Sequence, residues 1–169
     1  MDGLRRGGLV TRPYFVFGIV VVDKSAYNTS SFVGFCFERR IGLMNNIVAI
    51  ALGAAIGANL RYGIGLWAAQ RFGTAWPYGT FIINLLGCLG IGLLLTLIST
   101  RLTLSEPVRL MLVTGLLGGF TTFSTFGYES FSLLSSGNWL PALGYVAGSV
   151  VGGLIAVTIG VGLGQWFSG

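Results

Sequence analysis

Apolar residues run along the chain in four long stretches, which are separated by short segments with polar side chains, the first two of which also contain arginine and proline. The stretches cover residues 47–69, 80–98, 108–134 and 140–166. Because a helix needs about 20 mostly apolar residues to cross the hydrocarbon core of a bilayer, each stretch is long enough for one crossing. The pattern therefore predicts an all-α membrane protein with four transmembrane helices.

Small residues recur at every fourth position in the first and the last stretch. In the first stretch they are Ala49, Gly53, Gly57, Gly65 and Ala69, and in the last they are Gly144, Gly148, Gly152, Ala156, Gly160 and Gly164. A stripe of small residues lets two helices approach closely in a membrane. We therefore expect both stretches to pack tightly against neighbouring helices.

Arg61 occupies one position of the small-residue series in the first stretch. Since a charge that faces lipid is costly, one interpretation directs its side chain toward protein or a water-filled vestibule. The other lets the side chain snorkel to the membrane interface from the last turns of the helix. The sequence leaves both interpretations open.

The third stretch contains the segment GLLGGFTTFSTFGYE, residues 115–129, in which hydroxyl side chains alternate with phenylalanines. Lipid offers no hydrogen-bond partners, so this polar run must face protein, water or an ion. The glycine pair Gly118 and Gly119 predicts an interruption of the helix. Such an interruption frees backbone carbonyls that can coordinate a cation such as Na⁺.

Asn84 lies in the first third of the second stretch, on the same helical face as Thr80, Gly87 and Cys88. One interpretation is structural, because a buried asparagine ties two helices together with about 1 kcal/mol in a membrane. The functional interpretation is an amide donor that lines an anion path. Both stay open at this point.

Residues 1–43 differ from the rest of the chain, since they hold six of its ten basic residues. Their apolar stretch, residues 14–22, is about half the length of a spanning helix. It resembles the core of a signal peptide only weakly, because no small-residue cleavage site follows. We expect a translation start at Met44, with a poorly ordered N-terminal extension as the alternative, and one channel domain over residues 44–169.

Composition supports a membrane protein and argues against two other classes. Hydrophobic residues make up 53% of the chain and charged residues 9%, which leaves too few charges for the surface of a soluble domain. The net charge of +5 is scattered and forms no basic patch, so we expect no nucleic-acid partner. The chain has no histidine and no pair of carboxylates at catalytic spacing, so we expect no enzyme.

Positive charge is almost balanced between the two ends of the predicted helices after residue 44. Arg101 and Arg109 lie on one side of the membrane, and Arg61 and Arg71 lie on the other. The positive-inside rule then gives no clear orientation, whereas with residues 1–43 present Arg39 and Arg40 would bias the N-terminus toward the cytoplasm. Four short helices also enclose little volume, and their glycine faces need partners. We therefore expect a homodimer in the lipid bilayer, with the two copies antiparallel.

Three segments together resemble the Fluc/CrcB-type fluoride channels. They are GAAIGANLRYG (53–63), GTFIINLLG (79–87) and GLLGGFTTFSTFGYES (115–130), and they occur in the family's order. The resemblance covers about residues 44–169. It implies four helices with the third broken in mid-membrane, a dual-topology antiparallel dimer in the cell inner (plasma) membrane, two fluoride pathways and a central structural Na⁺.

The resemblance also implies roles for individual residues. Asn84 is similar to the pore-lining asparagine of the family, and Phe123 and Phe126 are similar to the phenylalanines whose ring edges contact fluoride. Gly118 and Thr121 match the positions whose backbone carbonyls hold Na⁺ at the dimer interface. The remaining matches are hydroxyls along or beside the path (Thr122, Ser124, Thr125 and Tyr145), the vestibule arginine Arg61, and the carboxylate Glu129.

Elementary chemistry agrees with a fluoride path. Fluoride is small and strongly hydrated, so a selective path must replace its water with close donors, and amides, hydroxyls and phenyl edges supply them. Neutral donors also bind the ion without trapping it. The alternatives are a small proton-coupled multidrug exporter, for which Glu129 is the single intramembrane carboxylate candidate, and a purely structural subunit.

Overall fold

The computed structural model of the protein describes residues 29–169, with side chains from residue 42 onward, and this part of the chain is entirely helical outside its short connections. Helix α1 is Thr29–Phe72, α2 is Tyr78–Thr100 and α5 is Trp139–Ser168. Between α2 and α5, α3 begins as Glu106–Leu110, continues as a π-helix over Met111–Leu117 and ends with the turn Gly118–Phe120. Helix α4 is Phe123–Ser135.

Four helical segments in the described part are long and apolar enough to cross a membrane. They are Gly42–Phe72, Tyr78–Thr100, Glu106–Ser135 and Trp139–Ser168. This confirms the predicted number of spans, each a few residues longer than the apolar stretch that predicted it. The predicted N-terminal extension, residues 1–43, lies mostly outside the described residues, and the channel-domain boundary at Met44 stays a prediction.

The helical backbone of the third span is interrupted at Thr121 and Thr122, which follow the glycine pair after one intervening residue. Thr121 (φ −78°, ψ 157°) and Thr122 (φ −147°, ψ 120°) are extended, whereas Gly118 keeps helical angles (φ −66°, ψ −37°). The predicted position at Gly118 and Gly119 is therefore wrong. The physical reason is that a threonine hydroxyl begins the next helix, because Thr122 Oγ1 accepts the backbone N–H of Thr125 as an N-cap.

Gly119 has a packing role instead. A methyl group at this position would lie 2.7 Å from the carbonyl oxygen of Ala54, so glycine lets α1 and α3 approach closely. Gly53 and Gly57 of the first small-residue series make the same kind of contact, since a methyl group on either would overlap the carbonyl of Met111 or Leu116. The first series therefore packs against the third span.

The small-residue series of the last span packs against α2. A methyl group at Gly160 would overlap the carbonyl oxygen of Leu89, and one at Gly164 would lie 2.6 Å from Cβ of Thr96. Gly92 of α2 fits against the carbonyl of Val157 in the same way. The prediction of close packing is confirmed for this pair of helices, which meet backbone to backbone.

Hydrogen bonds at the helix ends show which ends lie together. Trp76, in the connection between α1 and α2, donates its indole N–H to the carbonyl of Pro141 at the start of α5 (3.4 Å). At the other ends of α2 and α5, Arg101 Nε donates to the carbonyl of Ser168 (2.9 Å). The start of α2 thus lies beside the start of α5, although the sequence runs through α3 and α4 between them.

Candidate functional site

Asn84 pairs with the interrupted backbone of the third span. Its Nδ2 donates to the carbonyl of Thr122 (3.1 Å), and its Oδ1 accepts the N–H of Thr122 (3.0 Å). A side-chain amide thus replaces the helical partners that an extended residue has lost. Asn84 therefore ties two helices together, as one interpretation expected, while its amide nitrogen carries a second hydrogen that this pair does not use.

At the interruption, two amides are diverted from the carbonyls that they would reach in a continuous helix. The N–H of Thr122 would bond to the carbonyl of Gly118, but it donates to Asn84. The N–H of Thr125 would bond to the carbonyl of Thr121, but it donates to Thr122 Oγ1 (3.3 Å). The carbonyls of Gly118 and Thr121 are consequently left without their helical donors, and these are the two predicted cation ligands.

The hydroxyl groups after the interruption form a small network around Thr122. Thr122 Oγ1 donates to Thr125 Oγ1 (3.0 Å) and lies 3.4 Å from Ser124 Oγ. Thr122 is buried, whereas Ser124 and Thr125 are exposed on the surface of the single chain. The hydroxyl of Thr121 is separate from this network, because it donates back to the carbonyl of Leu117 (2.9 Å).

Glu129 accepts one hydroxyl on each of its oxygens. Oε1 accepts from Thr80 (2.9 Å) and Oε2 accepts from Tyr145 (2.7 Å), whose side chain is fully buried. The sequence singled out Glu129 and Tyr145, but it gave Thr80 no role beyond a position on the Asn84 face. The signal for Thr80 was that shared face, one helical turn before Asn84.

The two phenylalanines of the motif lie next to each other. The ring centroids of Phe123 and Phe126 are 5.8 Å apart, and Phe126 also contacts the ring of Tyr145 at 5.2 Å. Phe126 is half-buried, while 84% of Phe123 is exposed in the single chain. The aromatic edges therefore border the interruption, and that of Phe123 faces outward from this copy.

Two cavities have Thr122 as a shared lining residue. The first, ≈ 350 Å³, has a mainly apolar lining that includes Asn84, Gly118, Thr121, Thr122 and Phe123, and no charged side chain. The second, ≈ 380 Å³, is more polar. Its lining includes Arg61, Trp76, Thr80, Thr122, Thr125 and Glu129.

We call this second cavity the vestibule. It brings together Arg61 and Glu129, which lie 68 positions apart in the sequence, as the two charged residues that line one cavity. Eight of the eleven residues that the sequence singled out line one of the two cavities. The other three line neither: Ser124 lies beside Thr122, Phe126 contacts Phe123 and Tyr145, and Tyr145 donates to Glu129 of the vestibule.

Comparison with known proteins gives a consistent result. The family model described as CrcB-like protein, Camphor Resistance (CrcB), matches residues 48–161. The chain is 94% identical over 126 residues to the fluoride-specific ion channel FluC of Chloroflexus aurantiacus, covering 75% of this chain and 100% of that relative.

More distant relatives carry the same name. The fluoride-specific ion channel FluC of Roseiflexus sp. (strain RS-1) is 53% identical over 120 residues, which cover 71% of this chain and 97% of the relative. That of Trichormus variabilis is 45% identical over 119 residues, which cover 70% of this chain and 87% of the relative.

Proposed function

Because the chain belongs to the CrcB family, we propose that it is a fluoride-selective channel of the plasma membrane, which lets fluoride leave the cell passively and so lowers its cytoplasmic concentration. The observation that carries the proposal is the interruption itself. Amide, hydroxyl and phenyl-edge donors meet there within a four-span membrane protein, and the cavity beside it has no charged lining. The chain is a multi-pass membrane protein, and we place the interruption within the membrane.

The proposed route runs from the vestibule to the first cavity through Thr122, which lines both. The arginine of the vestibule attracts the anion, and the exposed hydroxyls of Ser124 and Thr125 replace part of its water. Beyond Thr122, the second amide hydrogen of Asn84 and the ring edges of Phe123 and Phe126 take over. These donors are neutral, so they bind fluoride without holding it in a fixed ion pair.

We propose an antiparallel homodimer because the route is open on one side in a single chain. Phe123 is 84% exposed, and Gly118, Ser124 and Thr125 are exposed beside it. A second copy placed by a two-fold axis in the membrane plane would cover these groups and duplicate them, which gives two routes. Counted over residues 44–169, the balanced arginines at the two ends of the spans support insertion in both directions.

The residues around the interruption also fit a structural Na⁺. Hard cations prefer oxygen ligands, and the carbonyls of Gly118 and Thr121 are the two that the diverted amides leave available. Gly118 is exposed on the open face, so its symmetry mate in a second copy would lie on the same face. A bound Na⁺ there would supply positive charge that holds the two copies together.

The proposed function is tested with purified protein in liposomes loaded with potassium fluoride. Adding a potassium ionophore balances charge, and we expect fluoride efflux while chloride-loaded liposomes release their anion far more slowly. Protein-free liposomes are the control. Equal release of chloride, or no release of either anion, would show that the chain is not a fluoride-selective channel.

The same liposomes separate the channel from a proton-coupled exporter. Glu129 is the carboxylate such an exporter would use, and in this structure both of its oxygens accept hydroxyl groups. A channel carries fluoride without a proton gradient. Proton flux that accompanies transport and disappears in Glu129→Gln would favour the exporter instead.

A further inference from the structure

Trp76 is an anchored residue in a connection that is otherwise largely exposed. It lies between α1 and α2, where Gly73, Thr74 and Ala75 are exposed, yet its own side chain is half-buried. Its indole N–H donates to the carbonyl of Pro141 (3.4 Å), which is on the first turn of α5. The connection is therefore attached to the helix that carries Tyr145.

The indole ring of Trp76 packs directly against Tyr145. The two ring centroids are 5.2 Å apart and the planes are at 78°, which is the favourable edge-to-face arrangement of aromatic rings. The ring of Tyr145 also contacts Phe126 at 5.2 Å, and none of it is exposed. Since the phenol oxygen lies at the far end of the ring, the neighbours of the ring determine where the hydroxyl points.

The hydroxyl of Tyr145 in turn covers one oxygen of a carboxylate on the anion route. It donates to Glu129 Oε2 (2.7 Å), and Thr80 covers Oε1 (2.9 Å). Glu129 lines the vestibule, so an uncovered oxygen there would present negative charge to an entering anion. Two hydroxyl donors reduce that repulsion because their positive hydrogens lie between the carboxylate and its surroundings.

We propose that Trp76 is a positioning residue of the fluoride route, a role that rests on the proposed function. Its ring, which also lines the vestibule, holds the Tyr145 ring so that the hydroxyl stays on Glu129. Without the indole, Tyr145 gains room to turn toward the vestibule, and one oxygen of the carboxylate becomes uncovered. Fluoride entry then slows although no residue that contacts the ion has changed.

The test is a double-mutant cycle between Trp76→Leu and Tyr145→Phe, read as fluoride efflux from liposomes and as single-channel fluoride current. Leucine keeps an apolar side chain of moderate size at position 76 but removes the ring edge. We expect Trp76→Leu to lower the fluoride rate about tenfold in the wild-type background. In the Tyr145→Phe background, Trp76→Leu should cause no further loss of rate, because the hydroxyl that Trp76 positions is already absent.

Two further variants separate positioning from general damage. Trp76→Phe keeps a ring against Tyr145 and loses only the indole N–H, so its rate should stay within about threefold of wild type. Trp139→Ala, an exposed tryptophan at the start of α5, is the matched control and should leave the rate unchanged. If Trp76→Leu does not yield folded protein, the fluoride rates of Trp76→Phe and Tyr145→Phe are each compared with that of wild type. A Trp76→Phe rate as low as that of Tyr145→Phe overturns the proposal.

Three results would overturn the role of Trp76 while leaving the fluoride channel intact. They are a wild-type rate in Trp76→Leu, an equal fold-loss in both backgrounds, and a Trp76→Phe rate as low as that of Trp76→Leu. Failure of the wild-type protein to release fluoride in the same assay would instead contradict the proposed function.

Discussion

Asn84 has a structural role at Thr122, and the proposed route gives the same side chain a functional one. Its amide occupies both backbone groups of Thr122, so the extended backbone is satisfied where lipid could not satisfy it. The same pairing frees the carbonyl of Gly118 and leaves one amide hydrogen of Asn84 for an anion. The two interpretations of Asn84 from sequence are therefore compatible, because an amide has more than one donor.

Asn84→Ala should reduce fluoride efflux by about 100-fold and destabilise the protein by about 1–3 kcal/mol, since both backbone groups of Thr122 lose their partner. The measurements are liposome efflux and the melting temperature in detergent. Asn59→Ala is the matched control, because Asn59 is exposed and bonds only to the Ala55 carbonyl of its own helix. A wild-type rate in Asn84→Ala would contradict the proposed route.

Gly87 makes a second prediction at the residue scale. A methyl group here would overlap Cγ2 of Thr121, whose rotamer is fixed by the hydrogen bond from its hydroxyl to Leu117. Gly87→Ala should therefore displace Thr121 and lower the free energy of unfolding by about 1–3 kcal/mol. Because the carbonyl of Thr121 is a proposed Na⁺ ligand, the melting temperature of this variant should also depend less on Na⁺. Gly63→Ala is the control, since no described atom lies within 4 Å of its added methyl. Equal melting temperatures of the two variants, with and without Na⁺, would contradict the prediction.

At the scale of elements, two helix pairs meet through glycine: α1 with α3, and α2 with α5. In both, glycines bring backbone atoms of the two helices close together, so the helices cannot move apart or rotate without losing close packing. These pairs hold the start of α2, which carries Thr80 and Asn84, beside the interruption. The position of the donors therefore depends on glycines that lie far from them.

Gly160→Ala tests this element-scale claim. The methyl group would overlap the carbonyl oxygen of Leu89 and push α2 and α5 apart. We expect the free energy of unfolding to fall by about 1–3 kcal/mol and the melting temperature to fall with it. Gly162→Ala is on the same helix, where no described atom lies within 4 Å of the added methyl, and it should behave as wild type. Indistinguishable melting curves for the two variants would show that the close crossing does not matter for stability.

At the scale of the whole molecule, the charges at the two ends of the spans bear on how the chain inserts. Arg61 and Arg71 lie toward one end, and Arg101 and Arg109 lie toward the other. Within residues 44–169 each end has two arginines, so a small change of charge should decide the orientation. Because the proposed dimer needs both orientations, orientation and function are coupled.

Two pairs of lysines test that coupling. Leu102→Lys with Thr103→Lys adds charge to the exposed connection after α2, and Ser135→Lys with Ser136→Lys adds charge at the opposite end. We expect each double variant alone to lose at least about tenfold of the fluoride efflux, and coexpression of the two to restore it. Protease cleavage of a C-terminal tag reports the orientation. Wild-type efflux from one variant inserted in a single orientation would contradict the antiparallel dimer.

The sequence by itself determined the class of molecule, because apolar stretches of spanning length and a scarcity of charge admit only a membrane protein. It also indicated that the hydroxyls of the third span need polar partners, since lipid offers none. What it placed wrongly was the interruption itself. Glycine permits a break, but a partner must stabilise the extended backbone, and that partner is Asn84 from another helix.

Only the tertiary structure decided the contacts between residues far apart in the chain. Thr80, Trp76 and Tyr145 meet around Glu129 because the start of α2 packs beside the start of α5, and no local pattern records that pairing. The freed carbonyls of Gly118 and Thr121 likewise follow from where two amides donate. Periodicity reports which face of a helix is apolar, whereas the partner of each polar group is set by the crossing of helices.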